Sequence, residues 1–192
     1  MDGGKGPDPT EEDAPLAAFF VLALEAMSSI SKELGKNSSK YEILAEATRK
    51  AIAKHFYEEE TGLFRSFTKS YEGRYSVINN AVCLLCGAAE GLDTTNIMKI
   101  LAANGSADLD YEVIPNTLSM NSFRFDALLR EDREKYAPVI LDEIRRDYKY
   151  MLDNDATTFW ETIKGQDDMW MGASLCHGWS ALPVFYYHIL KK

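Results

Sequence analysis

Apolar side chains recur every three to four residues through nearly the whole chain, and this helical spacing is the strongest constraint on its fold. The clearest case lies between residues 39 and 57, where the spaced residues are Tyr41, Leu44, Ala45, Thr48, Ile52 and Phe56. No strand–helix–strand alternation and no strong strand pattern interrupt this spacing. The sequence therefore predicts an all-α protein.

Capping and turn residues divide the pattern into about seven helices. The predicted ranges are roughly 14–35, 39–57, 77–89, 93–104, 118–129, 136–154 and 175–192. Ser39 and Glu42 have capping-box spacing at the second helix, and Pro183 lies inside the last one, where proline kinks helices. A short loop joins the first two helices and predicts an antiparallel hairpin. Hairpins repeated about every 50 residues suit a solenoid or toroid.

The first 13 residues, MDGGKGPDPTEED, consist largely of Gly, Pro and acidic residues without apolar periodicity. They predict a flexible lead-in at residues 1–13, followed by one domain at residues 14–192. Asp13 and Pro15 mark the start of the first helix. The run Leu16–Leu24 is apolar nearly all round, which predicts a helix that is buried on more than one side.

The chain has 192 residues, with 30 acidic and 21 basic side chains and a formal net charge of -9. An acidic chain lacks the basic surface that attracts nucleic acids and anionic membranes. No apolar run approaches the roughly 20 residues of a bilayer span, and no signal peptide is visible. We therefore expect no nucleic acid or membrane partner, and the localisation stays open.

Three cysteines are too few for a disulfide scaffold and leave the redox compartment undetermined. Cys83 and Cys86 form a CxxC within an apolar helix, without the second pair or nearby His that a zinc site requires. These thiols are predicted to pack in the core. The sequence contains no Gly-rich phosphate loop, GxSxG or HExxH motif, so no metal or cofactor is predicted.

All three tryptophans, Trp160, Trp170 and Trp179, lie within about 20 residues, in or beside the longest predicted irregular segment. Sugar faces pack on flat aromatic platforms, and glycoside chemistry uses carboxylates. Glu161 directly follows Trp160, where partial desolvation would tune its carboxyl group for acid–base chemistry. The alternative is that these indoles fill the core beneath a loop.

Three further polar positions have two readings each. His177, between Cys176 and Gly178, is placed to hydrogen-bond a sugar hydroxyl or is a satisfied histidine of the core. Asn79 and Asn80 precede a helix, where they act as caps or face a pocket. The sequence pattern alone leaves these alternatives open.

Two motifs near the end of the chain carry a family resemblance. The stretches ATTFWET (156–162) and SLCHGWSALP (174–183) resemble the end of the catalytic domain of bacterial α-L-rhamnosidases. These enzymes are six-hairpin glycosidases, whose fold is an (α/α)6 toroid of twelve helices. The segments 39–64, 79–91 and 125–129 resemble the same domain in the expected order. The resemblance covers nearly the whole chain from Asp13 and implies a partial toroid.

The resemblance also implies a mechanism, inversion at the anomeric carbon by two carboxylates roughly 6.5–9.5 Å apart. Glu161 matches the general base of the family's ATTxWE motif, and His177 matches a residue that contacts the sugar. Trp160 and Trp179 match walls of the pocket. The general acid of the family lies well upstream of the base.

About 160 residues precede Glu161, and seven helices cannot close a ring of twelve. We therefore expect the chain to be the C-terminal part of a larger enzyme that hydrolyses terminal α-L-rhamnosides, and to be largely inactive alone. Exposed faces of the cut ring are expected to drive self-association. The alternatives are a non-catalytic carbohydrate-binding module and a helical-repeat interaction domain.

Overall fold

The computed structural model describes residues 11–69, 74–168 and 172–191. The chain divides into two compact units, Met1–Pro115 and Asn116–Lys192. Seven α-helices lie within the described ranges, and each strand there has only two residues. The all-α prediction is confirmed. Most of the predicted lead-in, residues 1–10, lies outside the described residues.

The described residues of the first unit form four helices and four short strands. Its helices are α1 (Ala14–Glu33), α2 (Ser39–Phe56), α3 (Val77–Leu85) and α4 (Thr95–Ala103). Its strands are β1 (Tyr57–Glu58), β2 (Leu63–Phe64), β3 (Tyr75–Ser76) and β4 (Val113–Ile114). The β1–β2 pair is antiparallel and the β3–β4 pair is parallel. Helix α1 packs on α2, as the predicted hairpin requires, and also on α3.

Helix α1 begins where the sequence predicts. The side chain of Asp13 accepts a hydrogen bond of 2.8 Å from the backbone N–H of Leu16, and Pro15 occupies the first turn. The prediction of burial on several sides is wrong. One face, which includes Val21, is buried, whereas Leu16 on another face is 68% exposed. The apolar run therefore has a second apolar face in solvent.

Helix α1 also meets the length and hydropathy criteria for a membrane span, with a mean hydropathy of 1.6 over its best window. The expectation that no segment approaches this limit is therefore wrong for α1. A buried core helix and a signal sequence near the N-terminus satisfy the same criteria. Length and composition alone do not assign α1 to a membrane.

The start of α2 differs by one residue from the predicted capping box. Ser38, not Ser39, is the N-cap residue, and its hydroxyl donates a hydrogen bond of 2.9 Å to Oε1 of Glu42. The same carboxylate pairs with Nζ of Lys32 at 2.7 Å and accepts a hydrogen bond from the hydroxyl of Ser28. Glu42 thus joins α1 to α2 across the hairpin, a tertiary role that local spacing does not reveal.

Asn79 and Asn80 are fully buried structural residues at the start of α3. Both side-chain amides donate to the backbone carbonyl of Phe64, at 2.8 Å and 3.1 Å. The amide oxygen of Asn80 accepts from the N–H of Phe64 at 2.9 Å. The two residues thereby satisfy the backbone of β2. Cys83 and Cys86 are also buried, as predicted.

The second unit contains α5 (Asn121–Glu131), α6 (Arg133–Asp153) and α7 (Leu182–Leu190). Short 3-10 helices occupy Leu118–Met120, Gly165–Asp167 and Gly178–Ala181. A buried ion pair between Arg124 and Glu143 joins α5 to α6. Burial raises the pKa of Glu143 against the opposing attraction of the Arg124 guanidinium.

Helix α7 begins later than predicted. Residues 175–177 are not helical, and the chain then passes through the 3-10 helix Gly178–Ala181 before α7 starts. Pro183 lies in the first turn of α7, where its missing N–H costs no helical hydrogen bond, so that it does not kink the helix. The late start leaves His177 in extended backbone, where it pairs with another segment.

Candidate functional site

The two predicted motifs lie side by side in the second unit. The N–H of Glu161 donates to the carbonyl of Ser174 at 2.8 Å, and the N–H of His177 donates to the carbonyl of Phe159 at 2.7 Å. The order of these pairs shows that the two segments run antiparallel. The backbone therefore brings Trp160 and Glu161 next to the segment that carries His177.

One backbone donor orients the Glu161 carboxylate. Oε2 accepts a hydrogen bond of 2.8 Å from the N–H of Ser174, the same residue whose carbonyl accepts from Glu161. Oε1 has no hydrogen-bond partner among residues 11–69, 74–168 and 172–191, and the side chain is half-buried. Such a carboxylate has one fixed oxygen and one that remains able to accept a proton or a hydrogen bond from a water molecule.

The His177 imidazole is partly exposed and contacts two residues that follow it. Nδ1 lies 3.1 Å from the hydroxyl oxygen of Ser180, and the ring centroid lies 6.1 Å from that of Trp179. The planes of these two rings are tilted by 56°. The imidazole is thus held through Nδ1 and accompanied by an indole.

Trp160 packs against a glycine that the sequence analysis did not single out. Gly165 is buried with a φ of +58°, and a Cβ atom there would lie 2.6 Å from Cε3 of Trp160. Both the backbone angle and the close approach require glycine. A glycine shortly after an aromatic residue in an irregular segment was the available signal, but it does not identify which ring contacts it.

Of the remaining two tryptophans, the structure describes Trp179 but not Trp170. Trp179 is 74% exposed on the 3-10 helix Gly178–Ala181, so it does not fill the core. Trp170 lies outside the described residues. Because an exposed indole beside a histidine offers a flat apolar face with a polar neighbour, Trp179 and His177 have the composition of a sugar-contacting surface.

Ser174 and Ser180 contact the candidate residues Glu161 and His177, and sequence reasoning missed both. Both lie within the motif SLCHGWSALP, but neither residue type nor spacing shows that one orients Glu161 and the other contacts His177. In the described part of the chain, no group of three or more His, Cys, Asp or Glu side chains is placed to hold a metal ion.

Comparison with known proteins gives a consistent result. A family model described as the bacterial alpha-L-rhamnosidase 6 hairpin glycosidase domain matches residues 3–189. A GH78 family rhamnosidase from Bacillus sp. GL1 is 26% identical and superposes with a TM-score of 0.74 over 92% of this chain. A rhamnosidase from Klebsiella oxytoca, solved with rhamnose bound, shares the fold at 19% identity, with a TM-score of 0.67 over 93% of this chain.

The chain spans only part of those proteins, 19% of the Bacillus chain and 34% of the Klebsiella chain. No curated protein sequence matches it. The family resemblance drawn from the two motifs is nevertheless confirmed by a match that extends over almost all of the sequence. This chain belongs to the bacterial α-L-rhamnosidase six-hairpin glycosidase domain family.

Proposed function

We propose that this chain provides the general-base side of a site that hydrolyses terminal α-L-rhamnosides with inversion at the anomeric carbon. The observation that supports this role best is the geometry of Glu161. The N–H of Ser174 orients the carboxylate through Oε2, while Oε1 is left without a partner among the described residues. A base needs this combination because it must hold a water molecule in a defined direction and then accept its proton.

In the proposed reaction, Glu161 removes a proton from water as the water oxygen attacks the anomeric carbon. The bond between that carbon and the glycosidic oxygen breaks, and a general acid protonates the departing oxygen. His177 hydrogen-bonds a sugar hydroxyl, and Trp160 and Trp179 contact apolar sugar faces. The products are free rhamnose, with inverted anomeric configuration, and the alcohol of the leaving group.

The acid is proposed to lie in helices upstream of those described here. The family resemblance implies this order, and the two structural relatives are much longer than the part that this chain covers. Because proton donation to the leaving group is worth about 10²–10⁴-fold in rate, the 192-residue chain alone is proposed to hydrolyse little.

Binding of L-rhamnose tests the proposed site without requiring turnover. Titration of the chain with L-rhamnose is expected to change tryptophan fluorescence saturably, because the proposed pocket is lined by indoles. H177A should abolish the change, whereas H188A, a matched substitution on α7, should retain it. No saturable response, or equal loss in the two variants, would contradict the proposal.

A non-catalytic carbohydrate-binding role is the second candidate, favoured by the exposed indole of Trp179 beside His177. Such a module would bind sugar through these rings without using Glu161. The two roles are separated by placing E161Q in a longer protein that includes the upstream helices. Loss of hydrolysis with retained binding supports the enzyme, whereas an inactive parent supports the binding module.

Self-association is proposed to occur through α1 with a second copy of this chain. The helix and its C-cap residue expose a row of large apolar side chains: Leu16, Phe20, Met27, Ile30 and, at the C-cap, Leu34. Their spacings of 4, 7, 3 and 4 residues are those of a heptad seam, the pattern by which one helix packs along another of the same kind.

A further inference from the structure

The hydroxyl of Ser180 is a buried polar group that contacts the imidazole of His177. Ser180 is fully buried, and its Oγ lies 3.1 Å from Nδ1 of His177. Within residues 11–69, 74–168 and 172–191, Nδ1 is the one hydrogen-bond partner of this hydroxyl. Burial makes an unsatisfied hydroxyl costly, so its proton must be used in this contact.

The direction of this hydrogen bond determines where the imidazole carries its proton. A serine hydroxyl has one proton, and Nδ1 is the acceptor that it reaches. If the hydroxyl donates, Nδ1 must be unprotonated. The neutral ring then carries its proton on Nε2, since the bond at one ring nitrogen fixes the role of the other.

Tyr148 on α6 holds both sides of this arrangement. Its hydroxyl donates a hydrogen bond of 2.7 Å to the carbonyl of Ser180. Its ring centroid lies 5.9 Å from that of Phe159, whose carbonyl accepts from the N–H of His177. The Tyr148 hydroxyl is the donor because a carbonyl oxygen can only accept, and burial above all raises the pKa of Tyr148.

We propose that Ser180 is a positioning residue that fixes His177 as the Nε2–H tautomer, with Tyr148 holding Ser180 in place. His177 then presents a hydrogen-bond donor, which pairs with an oxygen lone pair of a sugar hydroxyl. The other tautomer would present an acceptor and require a hydroxyl proton instead. The assignment of a sugar as the ligand rests on the proposed function, whereas the tautomer does not.

Nuclear magnetic resonance of the 192-residue chain labelled with ¹⁵N-histidine tests the proposal. The chain has three histidines, so His55 and His188 serve as internal controls in each spectrum. At about pH 8, where an ordinary imidazole is neutral, His177 is expected to show a protonated Nε2 and an unprotonated Nδ1. S180A should abolish this single-tautomer signature, and S180T, which retains a hydroxyl, should restore it.

The Y148F variant is expected to reduce the fraction of His177 in the Nε2–H form, with His55 and His188 unchanged. A protonated Nδ1 in the unsubstituted chain would overturn the proposal, as would an unchanged His177 signature in S180A. If S180A does not fold, the spectrum of the unsubstituted chain still decides. Addition of L-rhamnose to the same sample tests the proposed function separately, since an unmoved His177 signal would contradict sugar binding while leaving the tautomer established.

Discussion

Glu161 and Ser174 are joined by two reciprocal hydrogen bonds. The N–H of Glu161 donates to the carbonyl of Ser174, and the N–H of Ser174 donates to Oε2 of Glu161, each at a distance of 2.8 Å. Both contacts use the backbone of Ser174, so the orientation of the carboxylate does not depend on a second mobile side chain. A carboxylate oriented in this way suits the proposed role of Glu161 as a base that aims one water molecule.

Hydrolysis of an aryl α-L-rhamnoside tests the proposal that Glu161 is the general base and that the general acid lies in upstream helices. Because a site with a base but no acid loses most of its rate, the hydrolysis rate of the 192-residue chain is expected to lie within about 10-fold of the rate of the E161Q variant. The measurement is release of the aryl alcohol over hours at high protein concentration. Robust turnover that disappears in E161Q would show that the chain contains its own acid.

Gly165→Ala is expected to destabilise the chain by about 1–3 kcal/mol. The new methyl group would collide with the Trp160 indole, and the left-handed backbone angle would be strained. Chemical denaturation measures the loss. Gly178→Ala is the matched control, because its Cβ meets no atom within 4 Å, and it should cost much less. Equal effects would contradict the packing of Trp160 on Gly165.

The contact of Glu42 across the first hairpin predicts a dependence of stability on pH. Lys32 first, and then Ser38 and Ser28, lower the pKa of Glu42 from 4.5 to about 2. A lowered carboxyl pKa stabilises the folded state above the unfolded value, and this contribution is lost as the pH falls through the range between them. The difference in unfolding free energy between the unsubstituted chain and E42Q should therefore be full above about pH 5 and shrink towards pH 2.

Glu33→Gln is the control for this experiment, because among the described residues the Glu33 side chain makes no hydrogen bond or ion pair. The free energy of unfolding of E33Q should differ little from that of the unsubstituted chain across the same pH range. The prediction would be contradicted if the difference in unfolding free energy between the unsubstituted chain and E42Q grew as the pH falls.

Arg124→Met should cost about 3–5 kcal/mol, because it leaves the Glu143 carboxylate buried without its guanidinium. Removal of both charges in R124M/E143L is expected to cost less than the sum of the two single variants. The control is Lys149→Met, which breaks an exposed pair with Asp153 and should cost less than about 1 kcal/mol. Urea denaturation gives the change in the free energy of unfolding for R124M, E143L, the double variant and the control. If the costs of R124M and E143L add up to the cost of the double variant, the pair is not coupled.

The sequence predicts those features of the fold that depend on local spacing. Asp13 and Pro15 mark the start of α1 because a cap and a proline act on the adjacent turn. The start of α7 could not be predicted in this way. His177 is kept out of the helix by a hydrogen bond to Phe159, which is distant in sequence, and tertiary contacts override local pattern.

The same distinction applies to the site. The motifs predicted Glu161 and His177 as candidates, and their neighbours in sequence gave Trp160 and Trp179. Which groups orient them depends on contacts between segments, as when the backbone of Ser174 meets Glu161. Residue identity also did not show that Gly165 lies beneath an indole. The candidate residues could therefore be predicted from the sequence, whereas the groups that orient them could not.

Analytical ultracentrifugation at several concentrations tests association through α1. Because the exposed heptad row would be covered by a second copy, the sedimentation coefficient should rise with concentration. Charges at two positions of the row, Leu16→Glu and Ile30→Glu, should leave a monomer. Ile43→Glu is the matched control, since this side chain on α2 is 70% exposed but lies off the row. A monomer at every concentration would contradict the proposal, and so would binding of the chain to phosphatidylcholine vesicles in place of self-association.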